Sequence, residues 1–468
     1  MLLNFSVSEV KALFFLRLAY FLFLFFLLLF LSRFRLHDIL APLSAGIALI
    51  VFVYGIFQKY LVFPWILDQV GWEQSAFTQA LQTKVASGRV FAIFALPTLY
   101  AAVCGLLLLC TVHYFFRSAG WRRVSWVILF LLGGFNLFLT QTFGGISLFA
   151  ASLLFYLLVS GIFKLKYLAP LLMVVALLFF MVVALRFSEA RELQPVKLRF
   201  VNWIQAGRVI AAAPLFGVGL GNYETAVPVH ILPGEPSSIY AHNFFLQMAA
   251  ETGVPWFLFM LLLSLPWLKK NSRELVRREN ALFAALALLV LMFNFIDVGN
   301  YFFAAGVGFA VAASQLIARS QRPGRVIFWP LAILGALLLV NEIGADRQKT
   351  ADLELARRDD ARAERHYRQA LQLNPWSYRA LLGRAAIAGR KGDAAGAEQM
   401  FAKVLAIYPG QAYANYMSSQ AAFRRGAYLT AMTCARQAAQ ANKKNKEYQR
   451  WHEFIKANFA DRLTLPGN

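Results

Sequence analysis

The sequence predicts an all-α fold: a polytopic helical membrane protein of about 10–12 spans, with one large outside loop and a C-terminal α-solenoid. Three observations carry this. Hydrophobic residues make up 59% of the 468 and charged residues only 15%, more apolar surface than a soluble domain can cover. Apolar runs of about 17–25 residues, the length a helix needs to cross a bilayer, recur through most of the chain. Near residue 344 the composition shifts to Ala, Arg, Gln, Lys and Glu, with aromatics at helical spacing.

The runs place spans near 13–31, 39–58, 89–112, 124–140, 144–163, 167–186, 255–268, 281–299, 302–318 and 326–342. The first run is too long for a signal peptide and lacks a small-residue cleavage site, so it is expected to stay in the protein. Lys and Arg concentrate in "RSAGWRR" (117–123), "KLK" (164–166), "KKNSRELVRREN" (269–280) and "RSQRPGR" (319–325), which the positive-inside rule makes cytoplasmic. Segment 187–254, loop 59–88 and everything after 343 are then outside. The N-terminus falls outside too, despite Lys11, so either a span is miscounted or the short tail is translocated. Much of the formal net charge of +22 lies in such short loops, and no nucleic-acid partner is expected. Cys104, Cys110 and Cys434 show neither metal-ligand spacing nor a disulfide framework; no metal and no cofactor is expected.

Beyond 344 the chain repeats itself. "AERHYRQALQLNP" begins at Ala363 and "AEQMFAKVLAIYP" at Ala397, 34 residues on; the same step reaches Ala431 and links Gly392 to Gly426. Small residues that let helices approach, an aromatic that fills the gap and a closing Pro375 or Pro409 are the packing pattern of tetratricopeptide (TPR) repeats. Two repeats are clear and a third lacks its proline. Such solenoids bind peptides or proteins, so 344–468 is read as a TPR-like domain for an envelope protein partner.

Chemistry concentrates in segment 187–254. Arg199 and Trp203 share a helix face, with Arg208 turned away. "GVGLGNY" (217–223) carries Gly217, Gly219 and Gly221, a turn suited to close approach by a ligand or a helix. No strand precedes it, so it is not a dinucleotide fingerprint. In "IYAHNFFLQMAAETG" (239–253), His242 and Asn243 open a helix that ends at Glu251 and Gly253, at the mouth of the next span. An imidazole can take a proton from an attacking hydroxyl, and guanidinium groups can clamp a diphosphate. The arrangement reads as metal-free group transfer from a pyrophosphate-linked carrier to a hydroxyl at the membrane surface. Glu251 caps its helix or pairs with an arginine, and His230 is read as a solvated connector residue. Asp297, in "FNFIDVGNYFF", should face the same compartment as His242 and pair with a loop arginine.

Arg199–Trp203, "PLFGVGLGNY" (214–223) and "AHNFFLQMAAETG" (241–253), in this order and between late spans, resemble the conserved block of the O-antigen ligase, O-antigen polymerase and protein O-oligosaccharyltransferase superfamily. The resemblance implies an inner-membrane protein of bacteria with a periplasmic catalytic loop and a periplasmic C-terminal domain. It implies an inverting, metal-independent transferase acting on an undecaprenyl-pyrophosphate-linked glycan donor, with lipid A core, a growing glycan or a protein hydroxyl as acceptor. His242 would then serve the acceptor hydroxyl and Arg199 the donor diphosphate. Asn243, Gly219, Gly221 and Asp297 are further candidate substrate-binding residues. Family members commonly carry a Ser-Arg-Gly-like motif at the outer start of a middle span; here Thr142, Phe143 and Gly144 stand there, and Arg89 or Arg208 is the candidate to replace the arginine. The competing class is a non-catalytic membrane-anchored scaffold or a transporter. Transporters usually show broken midplane helices with polar residues, and here the intramembrane charges are few: Arg17, Arg186 at a span end, and Asp297.

Overall fold

The computed structural model describes residues 2–68, 83–94, 96–162, 194–232, 234–236, 238–317 and 328–463. The span expected at 167–186, the loops 164–166 and 319–325 and part of loop 59–88 lie outside the described residues. After a short N-terminal helix (Leu2–Val7) come α1 (Lys11–Leu31) and α2 (His37–Phe57), the latter prolonged through a π turn to Asp68. Then follow α3 (Pro97–Arg117), α4 (Gly120–Leu139), α5 (Phe143–Val159), α6 (Gln194–Ala212), α7 (Phe244–Thr252), α8 (Val254–Leu275), α9 (Ala281–Ile296), α10 (Phe303–Gln315) and α11 (Phe328–Ala356).

Six described helical stretches are long and apolar enough to cross a membrane: α1, α2 with its extension, α3, α4, α9 with the turn before it, and α11. α5 and α10 are shorter apolar helices. The span expected at 89–112 begins later. Positive φ at Gly88 (+67°) and Ala92 (+47°) breaks the backbone, and Pro97 starts the helix where its missing N–H costs nothing. α3 is the central pillar: its Tyr100, Leu108 and Leu109 are buried against Phe52 of α2 and Phe283 and Phe293 of α9. Ile50, Leu131 and Ile333 face outward, as expected where the solvent is lipid. Buried Asn136 accepts from the Tyr100 hydroxyl (2.7 Å) and donates to Phe52 O (3.1 Å), so it leaves few polar atoms to hydrocarbon.

The boundary expected at 343–344 falls inside α11, which runs unbroken from its apolar half into the polar one. Beyond it stand α12 (Asp360–Leu373), α13 (Tyr378–Arg390), α14 (Ala394–Ile407), α15 (Ala412–Arg424), α16 (Tyr428–Ala441) and α17 (Lys446–Leu463). The 34-residue period is written in the backbone. Arg358, Gly392 and Gly426, equally spaced, all take positive φ (+61°, +76°, +77°). Asp359 and Asp393 cap α12 and α14, accepting from Arg362 N (3.0 Å) and Gly396 N (2.8 Å), while Ser377 and Gln411 cap α13 and α15. Ala363, Ala397 and Ala431 are all buried where paired helices meet.

This helical array docks on the loop before α7. Arg379 Nη2 lies 3.1 Å from Glu224 Oε2, the Tyr378 hydroxyl donates to Oε1 (3.2 Å), and the Tyr408 hydroxyl donates to Thr225 O (3.3 Å). Arg379 is half exposed, so the ion pair contributes about 1 kcal/mol or less. Glu224→Arg and Arg379→Glu are each expected to speed tryptic release of the C-terminal helices a few-fold, and the double swap to restore protection. Equal cleavage in all four proteins would remove the clamp.

The N-terminal segment is stitched to the glycine turn. Asn4 Nδ2 donates to Phe216 O (2.6 Å) and Glu251 O (2.7 Å), and its Oδ1 accepts from Leu220 N (3.0 Å). Asn222 Oδ1 accepts from Val10 N (2.7 Å). The N-terminal segment therefore packs on the glycine turn of the loop.

Candidate active site

Four helix ends converge around His242. Asn243 is the N-cap of α7: its Oδ1 accepts from Leu246 N (3.0 Å), and its Nδ2 donates to Phe295 O (3.1 Å) near the end of α9. Phe244 N donates to Asp297 O (3.2 Å), so the His-Asn pair is pinned to the C-terminus of α9. His242 itself adopts φ +50°, a left-handed turn that few side chains tolerate.

That turn brings His242 Nδ1 to 3.1 Å from Asp297 Oδ1. The imidazole is 24% exposed and the carboxylate 1%. Asp297 also accepts from the Thr98 hydroxyl (2.7 Å) at the start of α3 and from Val298 N (2.9 Å). Burial alone pushes its pKa up, but the bonds from His242, Thr98 and Val298 outweigh this and hold the carboxyl below its usual value. An ionised carboxylate has no proton to give, so Nδ1 donates, and in the neutral imidazole Nε2 is then the acceptor. The sequence expects a loop arginine on Asp297; the structure gives it His242.

The fourth helix end is that of α5. A Cβ added at Gly144 would stand 2.6 Å from Ile296 Cδ1, so the start of α5 packs closely on the residue before Asp297. Arg89 lies over that start, in the loop before α3 rather than in a span. Its Nε donates to Thr140 O (3.1 Å) and its Nη2 to Thr142 Oγ1 (3.1 Å). A guanidinium thus stands against Thr142, beside a helix N-terminus.

Trp203 on α6 donates its indole N–H to His242 O (3.2 Å) and supports the strained turn. Arg199, one helical turn before it, is partly exposed and has no hydrogen-bond or ion-pair partner among the described residues. It is a cation available to a ligand.

Other candidates are structural in this geometry. Arg208 is held bidentately by Glu235, at 2.8 Å (Nη1–Oε2) and 2.9 Å (Nη2–Oε1), and so braces the loop instead of presenting a free charge. The bond from Arg208 holds the Glu235 carboxyl down at about 2. A depressed carboxylate stabilises above the ordinary glutamate range and loses that contribution as pH falls toward the folded value. Loop protection should therefore be flat over about pH 5 to 8. Arg208→Ala is expected to raise proteolysis near 231–236 several-fold while leaving any transfer within about three-fold of wild type; a total loss would make Arg208 a substrate contact.

Gly219 and Gly221 serve packing. A Cβ at Gly219 would collide with Ser8, and one at Gly221 would lie 2.8 Å from Leu13 O, both at positive φ. The turn approaches the N-terminal helices, not an open cleft. Glu251, fully buried, accepts from Gly221 N (2.7 Å), Gln247 Nε2 (3.2 Å) and the Tyr301 hydroxyl. Burial raises its pKa against these bonds. It locks the glycine turn to α7 and pairs with no arginine within ion-pair distance among the described residues. Sequence reasoning missed Thr98, which carries no local signal, and Tyr240, whose ring meets that of His242 at 6.5 Å. Among the described residues no three His, Cys, Asp or Glu side chains stand together as a metal site.

Fold and site describe a multi-pass helical membrane protein with a polar dyad at one membrane face. A family model described as O-antigen ligase matches residues 127–261, from α4 into α8, and supports placement in the O-antigen ligase superfamily, whose members are glycosyltransferase-like. The match takes in Arg199, Arg208, His242 and Asn243; Arg17, Arg89, Asp297 and the C-terminal helices lie outside it. No curated protein matches the chain.

Proposed function

We propose that this protein transfers an oligosaccharide or polysaccharide from an undecaprenyl-pyrophosphate carrier to a hydroxyl acceptor, as an O-antigen ligase or a protein O-oligosaccharyltransferase does. It would act at the periplasmic face of the bacterial inner membrane, with a TPR-like C-terminal domain on the same side for an envelope protein partner. The observation that carries the reading is the Thr98–Asp297–His242 chain at a membrane mouth, with Nε2 left as a base.

In the reaction the acceptor hydroxyl gives its proton to His242 Nε2 as its oxygen attacks the anomeric carbon. The bond from that carbon to the pyrophosphate oxygen breaks, and the lipid pyrophosphate leaves with the electron pair. Attack opposite the leaving group inverts the anomeric centre. Asp297 stabilises the imidazolium, while Arg199 and Arg89 offset the charge growing on the pyrophosphate. No step needs a metal ion.

The test is turnover by purified protein in lipid nanodiscs loaded with undecaprenyl-diphosphate-linked glycan. Lipid A core, free glycan and a Ser/Thr peptide are offered in separate arms, each with and without EDTA. Product in one arm, insensitive to EDTA, is expected and names the acceptor. An intact donor in every arm would overturn the reading.

A further inference from the structure

Arg17 has no role in the site described above, yet it is the one charge inside "ALFFLRLAYFLFLFFLLLFL" (12–31). It lies six residues into α1, roughly 9 Å along the helix from its start. A cation at such depth is costly and calls for a partner. Its Nη1 donates to Tyr301 O (3.1 Å), and the guanidinium rests 3.9 Å from the Tyr301 ring centroid. These contacts orient the group without neutralising it. No carboxylate lies within ion-pair distance among the described residues. Glu251, beyond Tyr301, feels the Arg17 charge from outside ion-pair distance and has both oxygens engaged by Gly221, Gln247 and the Tyr301 hydroxyl.

The surroundings tie Arg17 to the site. Gly221 yields the space for it, since a Cβ there would lie 3.2 Å from Arg17 Cβ. Tyr301 belongs to the turn that carries Asp297. The next residue, Phe302, meets the Tyr240 ring at 5.7 Å, and Tyr240 in turn meets His242. One turn along α1, Phe21 packs on Phe244, the first residue of α7 (6.4 Å). The cation therefore approaches the His242 cluster from the bilayer side, a position open to a lipid-borne group and less so to an aqueous one.

We infer that Arg17 binds a phosphate group carried by a membrane lipid, and that this is the diphosphate of the glycan carrier. The inference rests on the transferase reading above. Arg199 and Arg89 would reach the diphosphate from the aqueous side while Arg17 holds it from within the first membrane helix. Planar guanidinium N–H groups suit two phosphate oxygens, which a lysine ammonium matches poorly.

The test uses full-length protein in neutral detergent, as wild type, Arg17→Lys, Arg17→Met and His242→Asn. Native mass spectrometry measures binding of undecaprenyl diphosphate and, separately, of phosphatidylglycerol; nanodisc turnover gives KM for the donor and kcat. Arg17→Met keeps side-chain length and suits the bilayer, and Arg17→Lys keeps the charge should Met disturb folding. The expected result is an about ten-fold loss of undecaprenyl diphosphate affinity in Arg17→Met and a matching rise in donor KM, with kcat changed less. Arg17→Lys should fall between, and His242→Asn should bind donor like wild type without turning over. Unchanged donor affinity and KM in both Arg17 variants overturns the inference. Loss of phosphatidylglycerol binding alone also overturns it, and makes the site one for a bulk phospholipid. If His242→Asn turns over normally, the transferase reading fails, whatever Arg17 does.

Discussion

Replacing His242 with Asn is expected to lower glycan transfer by about 10²–10⁴-fold, the range for loss of a positioned general base. Asn is the informative substitution because the backbone here has φ +50°, which Asn tolerates and which Ala or Gln would strain. The Trp203 bond to His242 O and the cap from Asn243 both involve neighbours or backbone, so α7 should start where it does in the wild type. A variant that expresses and melts like wild type but does not transfer would isolate the imidazole as the missing group. The check is turnover of lipid-linked glycan alongside a thermal unfolding curve. Transfer within a few-fold of wild type would assign His242 to structure.

Asp297→Asn should cost less, about 10–100-fold, as for other buried partners that orient an active group. The amide can keep its oxygen toward His242 and Val298 and turn its NH₂ toward Thr98, whose hydroxyl can accept as well as donate. The hydrogen bonds survive and only the negative charge goes, so the loss measures how far that charge stabilises the imidazolium. Asp297→Ala is a different experiment. It leaves Thr98 and Val298 N without their acceptor in a buried place, at about 1–3 kcal/mol for each group, and so should lower both stability and activity. Comparing turnover and melting of the two variants separates charge from support. If Asn matches wild type, the dyad has no electrostatic part in the reaction.

How much of this was legible beforehand depends on the range over which each feature is encoded. The spans follow local composition. The exceptions are informative: α3 starts at Pro97 instead of 89 because the positive-φ Ala92 intervenes, and apolar residues on either side of it look continuous in one dimension. The helical array was legible because its period is local, and the turn positions 358, 392 and 426 obey it even where Arg stands in place of Gly. His242 and Asn243 could be singled out from a short motif.

Partners distant in the chain could not be read. Asp297 is 55 residues from His242, and Arg89 is 53 from Thr142. Only packing, such as Gly144 against Ile296, brings these groups to one place. The same blindness made Arg208 look free, because nothing local shows that Glu235 will clamp it. It also hid the N-terminal segment, where Asn4 and Asn222 sew residues 2–10 to the glycine turn across more than 200 positions.

The central claim is that the transfer chemistry occurs at the His242–Asp297 dyad. The most direct test complements a strain lacking this protein with wild type, His242→Asn or Arg208→Ala at matched expression, and reads lipopolysaccharide and glycoprotein on one gel. The account predicts a glycan band with wild type and with Arg208→Ala, and none with His242→Asn. A band restored by His242→Asn to the wild-type level would contradict it.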